Sequence, residues 1–357
     1  MAETNDVRIA IVGCGYIGAR HAASLARLPD VTIAALVDRD ESRAAMLRDQ
    51  IELSAALVTT DFAKVLRDPT LHAVIIATHH DSHASLAIAA AEARKHLFIE
   101  KPMALTNEEC RDIEFAVSRN GVQCLVGFQT RHAPLVKRAR EWVPGPKVVF
   151  GQLIAGRWDD ASWAQHAATG GGNVLSQGVH CVDLLAFAAG ASPATVFADG
   201  GAITHDPAET AVIDTVLATI RFANGVIGTA AIGDFGPSPW TQLGFYGLFD
   251  GAGHSATLHH FSEGLALGTA GSEIVPFESP TEPARHLSVA DLPAAERDDP
   301  YGYAATIAEF VECARDNRPP LIGASVRDGR IATATILACF ESIRTGKPVA
   351  LPPINAR

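Results

Sequence analysis

The period of the hydrophobic positions changes about a third of the way along the chain. In the first third, short apolar runs alternate with stretches of helical spacing. Residues 8–12 run straight into Gly13-Cys14-Gly15-Tyr16-Ile17-Gly18, after which Ile17, Ala22, Leu25 and Leu28 form one apolar stripe that Pro29 closes. Residues 31–37 read as a second buried strand and 57–59 as a weaker third, with further strands at 73–77, 97–99 and 122–126. An alanine-rich helix over about 81–95 separates the fourth strand from the fifth. Thr106 and Glu109 have the spacing of a capping box for the next helix, and Asn120-Gly121 ends it. Six strands alternating with helices predict an α/β unit with a doubly wound parallel sheet.

Beyond about residue 128, β-prone stretches dominate, at 148–154, 195–202, 215–222, 226–232 and 243–249. Asn224-Gly225 between two of them is a hairpin signal. Helical spacing returns at 174–189, 303–316 and 326–345. The pattern predicts an α+β unit whose mostly antiparallel sheet carries helices on one side. The division expected is an α/β domain over 1–127 and an α+β domain over 128–357. Residues 276–300, rich in Pro and Glu, are the segment expected to be mobile on the surface.

Composition narrows the function. A chain of 357 residues with 48% hydrophobic and 19% charged positions has material for two large cores. A net charge of -11 argues against a nucleic-acid face or a polybasic membrane surface. The polar first residues have no signal-peptide pattern, and no run approaches the ~18 apolar residues of a membrane span. Cys14, Cys110, Cys124, Cys181, Cys313 and Cys339 lie far apart, which predicts buried thiols in a reducing cytoplasm and no metal site.

Three constellations carry chemistry. Gly13-x-Gly15-x-x-Gly18 joins a strand to a helix, as a dinucleotide requires: a tight turn, close backbone approach to the pyrophosphate, and close helix packing. Asp38 ends the second strand at the spacing of a carboxylate that binds the adenosine ribose, which favours NAD, while Arg39 beside it leaves NADP open. Glu100-Lys101-Pro102 follows the fifth strand, where ligands of parallel sheets bind. Gly170-Gly171-Gly172 leads into a helix on which Ser176, His180 and Asp183 share a face, and His180 is suited to accept a hydroxyl proton.

Taken together, these pieces resemble the Gfo/Idh/MocA family of oxidoreductases over nearly the whole chain. Further matches are Ala77-Thr78 with His83, Val126-Gly127-Phe128 with Arg131, Gly178-x-His180-x-x-Asp183, and the ending Thr345-Gly346-Lys347-Pro348-Val349. The resemblance implies a Rossmann domain followed by a domain with a large open sheet, which commonly builds dimers or tetramers, and sugars, cyclitols or related polyols as substrates. The residues expected at the cofactor are Gly13, Gly15, Tyr16, Ile17, Gly18, Asp38, Arg39, Thr78, His79, His83, Glu100, Lys101 and Gln129. Those expected at the substrate are Lys101, Arg157, Trp163, Ser176, Gln177, His180 and Asp183, with Arg131 also placed in the cleft between domains.

Two positions depart from the family pattern. Ser176 stands where an aspartate is usual, so Asp183 is expected either to orient His180 or to bind a substrate hydroxyl. His79 stands where a proline is usual, placing His79-His80 near the expected nicotinamide side. Tyr301 and Tyr303 are open to a role at the ligand or at a neighbouring subunit, and His259-His260 has no assigned role. The expected reaction is hydride transfer between a secondary alcohol and nicotinamide, with Lys101 and His180 at the reacting oxygen. The alternatives are glycoside cleavage through transient ring oxidation and elimination, and a non-enzymatic NAD-binding regulator.

Overall fold

The computed structural model describes residues 6–159, 162–206, 212–236, 243–267 and 285–353. The first elements in chain order are β1 (Val7–Val12), α1 (Tyr16–Leu25), β2 (Val31–Val37), α2 (Glu41–Gln50), β3 (Leu57–Thr59), α3 (Phe62–Leu66), β4 (Ala73–Ile76), α4 (His83–Glu92), β5 (His96–Ile99), α5 (Asn107–Asn120) and β6 (Cys124–Val126). There follow α6 (Pro134–Trp142), β7 (Val148–Ile154), α7 (Gly172–Ala189), β8 (Pro193–Gly201), β9 (Thr215–Phe222), β10 (Ile227–Gly233), β11 (Leu243–Phe249), β12 (Ser255–His259), β13 (Glu263–Leu267) and β14 (Arg285–Ser288). The last are α8 (Ala294–Arg297), α9 (Tyr303–Asp316), β15 (Ala324–Ser325), α10 (Val326–Thr345) and β16 (Val349–Ala350). They divide into two compact units, Met1–Gln129 with Tyr303–Thr333, and Thr130–Gly302 with Ala334–Arg357.

In the first unit the strand order is β15-β6-β5-β4-β1-β2-β3. Strands β1 to β6 pair in parallel, and the order reverses beside β1, the topological switch point at which such sheets bind ligands. Ala73, Val74, Ile75 and Ile76 are all fully buried, because helices cover both faces of the sheet. A seventh strand, β15, pairs antiparallel with β6 through Ala324 and Val126. Helix α9 joins this core: Ile307, Phe310 and Cys313 pack with Ile9, Ile11, Leu25 and Phe98, and Phe310 meets the Phe98 ring edge-on at 5.6 Å. Side chains of that size contribute roughly 1.5–3 kcal/mol each on full burial. The capping box forms as its spacing requires. Thr106 Oγ1 accepts the Glu109 N–H at 3.1 Å, Glu109 Oε2 accepts the Thr106 N–H at 3.0 Å, and Gly121 closes the helix at φ 65°.

The second unit is built on the sheet β14-β13-β12-β11-β7-β10-β9-β8-β16. Its pairings are antiparallel except β7 with β10. Asn224-Gly225 turns the β9–β10 hairpin, with Gly225 at φ 87°. Helix α7 lies against the inner face, where a Cβ on Gly151 would stand 2.7 Å from Cys181 Sγ, so only glycine lets the helix in this close. The outer face is open: burial along β9 alternates strictly, and Phe150, Phe197, Leu217 and Ile227 are all exposed there. Of the segment expected to be mobile, 276–284 lies outside the described residues, and 285–300 holds β14 and α8. All six cysteines are free and buried. Among the described residues, no helix is long and apolar enough to cross a membrane.

Candidate active site

The turn after β1 is shaped by what its glycines exclude. Gly13 adopts φ 94°, and a Cβ there would stand 2.3 Å from the Ala77 carbonyl oxygen. A Cβ on Gly18 would stand 1.9 Å from the Gly13 carbonyl oxygen, so α1 can seat on the turn only with glycine at that position. A Cβ on Gly15 would meet nothing within 4 Å among the described residues, so this side of its backbone is open to close approach. It is also the N-cap of α1, which has no side-chain cap and no acidic residue in its first turn. Such a helix end presents N–H groups and a partial positive charge, the chemistry that holds a diphosphate. Tyr16 is exposed and Ile17 half-buried beside it.

Asp38, at the end of β2, is tied to this turn. Its Oδ2 accepts the Cys14 N–H at 2.8 Å and its Oδ1 the Asp40 N–H at 3.0 Å. Arg39 is exposed next to it. His79 lies within the field of Arg39, Arg43 and Asp38. Burial first, and then the two arginines, lower its pKa. Thr78 shares a 2.7 Å hydrogen bond with Ser82 Oγ, and His80 is buried with its ring 5.5 Å from that of His83.

Lys101 is partly buried at the end of β5, and the main chain of Lys101-Pro102 is tied at both residues. Glu100 Oε2 accepts the Lys101 N–H at 3.1 Å, and His83 Nδ1 bonds the Pro102 carbonyl at 2.9 Å. The other ring nitrogen of His83 bonds the Thr78 carbonyl at 3.2 Å, so one buried imidazole joins the turn after β4 to the turn after β5. Burial pulls the Lys101 pKa down, and the Glu100 charge pulls it back up. Gln129 is buried just beyond β6.

In the second unit, α7 sorts its side chains into two faces. Cys181 and Leu185 meet the sheet at Gly151, and Gly178 sits against Ile232 and Ile336. Helical periodicity puts Asn173, Ser176, His180, Asp183 and Phe187 on the opposite face, with Gln177 on its flank. His180 and Ser176 are buried, at 5% and 7% exposure. Both oxygens of Asp183 accept from the Arg131 guanidinium, at 2.9 and 2.6 Å, and Arg131 lies over the Phe187 ring. Asp183 is thus the partner of a buried arginine, and Arg131, expected to line a cleft, is 7% exposed. Of the remaining sequence candidates in this unit, Arg157 is exposed and Trp163 half-buried in a short 3-10 turn. Tyr303, in the first unit, lies under the Arg20 guanidinium at 3.7 Å, and Tyr301, in the second, packs edge-on against Phe261.

Two groups escaped the sequence reading. His21, on α1, bonds Glu100 Oε1 through Nε2 at 2.8 Å, and its only linear signal is a polar residue within a buried stripe. At the start of α7, Asn173 bonds Asp234, which also accepts from His205 Nε2 at 3.0 Å and Gln165 Nε2 at 3.3 Å. Burial raises the Asp234 pKa against those hydrogen bonds. Asp214 holds the loop that carries His205, accepting the N–H groups of Ile203, Thr204 and His205 at 2.8–2.9 Å. Among the described residues, no group of His, Cys, Asp and Glu could hold a metal ion.

The comparisons with known proteins agree with this architecture. The oxidoreductase family described as NAD-binding Rossmann fold matches residues 7–128, and the GFO/IDH/MocA C-terminal domain matches residues 147–247. The chain is 26% identical over 359 residues to scyllo-inositol 2-dehydrogenase (NAD(+)) of Bacillus subtilis, covering 97% of both proteins. It is 25% identical to the solved structure of GenD2 from gentamicin A biosynthesis, in complex with NAD, with a TM-score of 0.78 over 97% of both chains. Levoglucosan dehydrogenase, solved with NADH and L-sorbose, has the same fold at 21% identity, with a TM-score of 0.84 over 98% of this chain and 100% of that one. The chain belongs to the GFO/IDH/MocA family and is an NAD-dependent oxidoreductase with a Rossmann domain and a second, mostly antiparallel sheet domain.

Proposed function

We propose that the chain oxidises, reversibly, a secondary alcohol of a sugar, cyclitol or related polyol, with Lys101 and His180 acting on the reacting oxygen. In this reading the open backbone at Gly15 and the uncapped start of α1 take the pyrophosphate, while Asp38 takes the adenosine ribose hydroxyls. Tyr16, Ile17, Arg39, Thr78, His79, His83 and Gln129 complete the cofactor's surroundings. Bound nicotinamide supplies the hydride acceptor. His180 takes the hydroxyl proton, and the Lys101 ammonium hydrogen-bonds the same oxygen and stabilises its developing charge. Ser176, Gln177, Arg157 and Trp163 are assigned to substrate hydroxyls and ring faces. The observation that carries the reading is the pair of main-chain ties around Lys101, its own N–H to Glu100 and the following Pro102 carbonyl to His83, which fix the backbone that bears the ammonium. The named substrate of the inositol dehydrogenase relative supports a ring polyol.

The test is a screen of sugars, inositols and glycosides with NAD, reading NADH absorbance beside product, followed by Lys101→Ala on the substrate found. One preorganised donor to a developing oxyanion is worth roughly 3 kcal/mol. Turnover should therefore fall about a hundredfold or more, with NAD affinity near that of the wild type, and unchanged turnover would overturn the assignment. The open sheet face, with Phe150, Phe197, Leu217 and Ile227 exposed, is assigned to self-association as a homodimer or homotetramer. Leu217→Lys should move the sedimenting species to the monomer. A monomeric wild type would sink this assignment.

A further inference from the structure

Glu100 is a buried carboxylate whose two oxygens have different partners. Oε2 accepts the Lys101 N–H, and Oε1 is met by His21 Nε2 at 2.8 Å, across 79 residues of chain. His21 is 2% exposed, its ring lies edge-on to Phe98 at 5.0 Å, and its Nδ1 has no hydrogen-bond partner among the described residues. A buried histidine that leaves one ring nitrogen unmet, while placing the other on a carboxylate, is built for that single contact. The residues after β6 close the third side: a Cβ on Gly127 would stand 2.9–3.0 Å from the Glu100 carboxylate, so the strand end is pressed against it. The titratable groups facing Glu100 are His21 from α1, His83 from α4 and Lys101 at the end of β5.

We propose that His21 is a positioning residue for Lys101: through Glu100 it fixes the lysine's main chain and maintains an ionised carboxylate as the lysine's counter-charge. The proposal rests on the reading of Lys101 as the group at the reacting oxygen. Its physical basis is that a buried carboxylate stays ionised only while donors meet its oxygens. Burial pushes the Glu100 pKa up, and the hydrogen bond and attraction of His21, with the charge and N–H of Lys101, outweigh this to hold it at about 2. Burial also works against the Lys101 ammonium, and the Glu100 anion is what opposes it. His21 sits three residues after Gly18, on the helix that starts at the open glycine turn. The same helix thus carries both a dinucleotide-shaped end and the donor that sets up the lysine.

The experiment compares His21→Leu, His21→Gln, Glu100→Gln and Lys101→Ala on the reaction found in the screen, with full pH profiles. Loss of the anion lowers the lysine's pKa, so activity that needs the ammonium is lost at lower pH. Expected for His21→Leu is a fall in kcat of about tenfold or more, with the alkaline limb moved acidward by roughly one pH unit and the KM and NAD affinity little changed. His21→Gln, whose amide keeps a donor near the Nε2 position, should restore the limb. Glu100→Gln should move it the same way, and adding His21→Leu to Glu100→Gln should move it no further. If His21→Leu does not fold, His21→Asn, whose shorter amide falls short of Glu100, is read identically. A lower melting temperature with the limb unmoved, or a further shift in the double variant, overturns the proposal. Lys101→Ala with unchanged turnover instead overturns the reading of Lys101 on which it rests.

Discussion

Replacing Arg131 by methionine removes a guanidinium that bonds both oxygens of a carboxylate in a closed environment. The side chains of Arg131 and Asp183 are 7% and 1% exposed, so water cannot replace the lost donors without rearrangement. Breaking such a pair from one side costs about 3–5 kcal/mol, because the surviving buried charge loses its bidentate counter-charge. Loss of the guanidinium contact with Phe187, at 4.9 Å, adds up to about 1 kcal/mol. The second unit has about 200 residues, and for that size each kcal/mol moves the midpoint by roughly 2–4 °C. Arg131→Met should therefore lower the calorimetric midpoint of this unit by roughly 6–24 °C. Arg131→Met with Asp183→Leu should recover most of the loss, since the penalty lies in keeping a carboxylate desolvated without the guanidinium rather than in the missing attraction. A midpoint within about 2 °C of wild type for the single variant would refute the reasoning. So would a double variant as unstable as the single one.

Other outcomes follow from the same physics. The folded-state pKa of Glu100 is depressed to about 2 from an ordinary 4.5, so its contribution to stability is fully present above about 4.5 and is lost as the pH falls towards 2. Urea melts across this window should show a loss on the order of 3 kcal/mol that Glu100→Gln abolishes, and identical slopes in both proteins would contradict it. Burial pushes the thiols of Cys14, Cys110 and Cys339 up to about 12 and that of Cys313 to about 11, with Cys124 and Cys181 also raised. A thiol reagent at pH 8 should thus consume less than about one equivalent of the native protein and all six cysteines after unfolding. Rapid labelling of the native state would show that these thiols are reached by solvent.

The linear chain already determined those features whose physics acts within a few residues. The strand Ala73–Ile76 falls where its apolar run places it, because a strand buried on both faces reads as an unbroken hydrophobic stretch. The capping box at Thr106, the Asn224-Gly225 hairpin and the glycine turn before α1 are likewise local, since each is set by backbone sterics and donors close in sequence. Contacts between distant residues were decided by the tertiary structure. Strand β15, two residues long, has no period to read, and it joins the first sheet only because β6 offers an edge. Helix α9 has an ordinary amphipathic pattern that does not say which sheet it will cover, yet Phe310 completes the core around Phe98. Glu100, Lys101, His180 and Asp183 could be singled out by type and spacing, but not their partners. His21 reaches Glu100 across 79 residues and Arg131 reaches Asp183 across 52, because a buried charge takes whichever donor the folded chain brings within 3 Å, and linear order does not encode that distance.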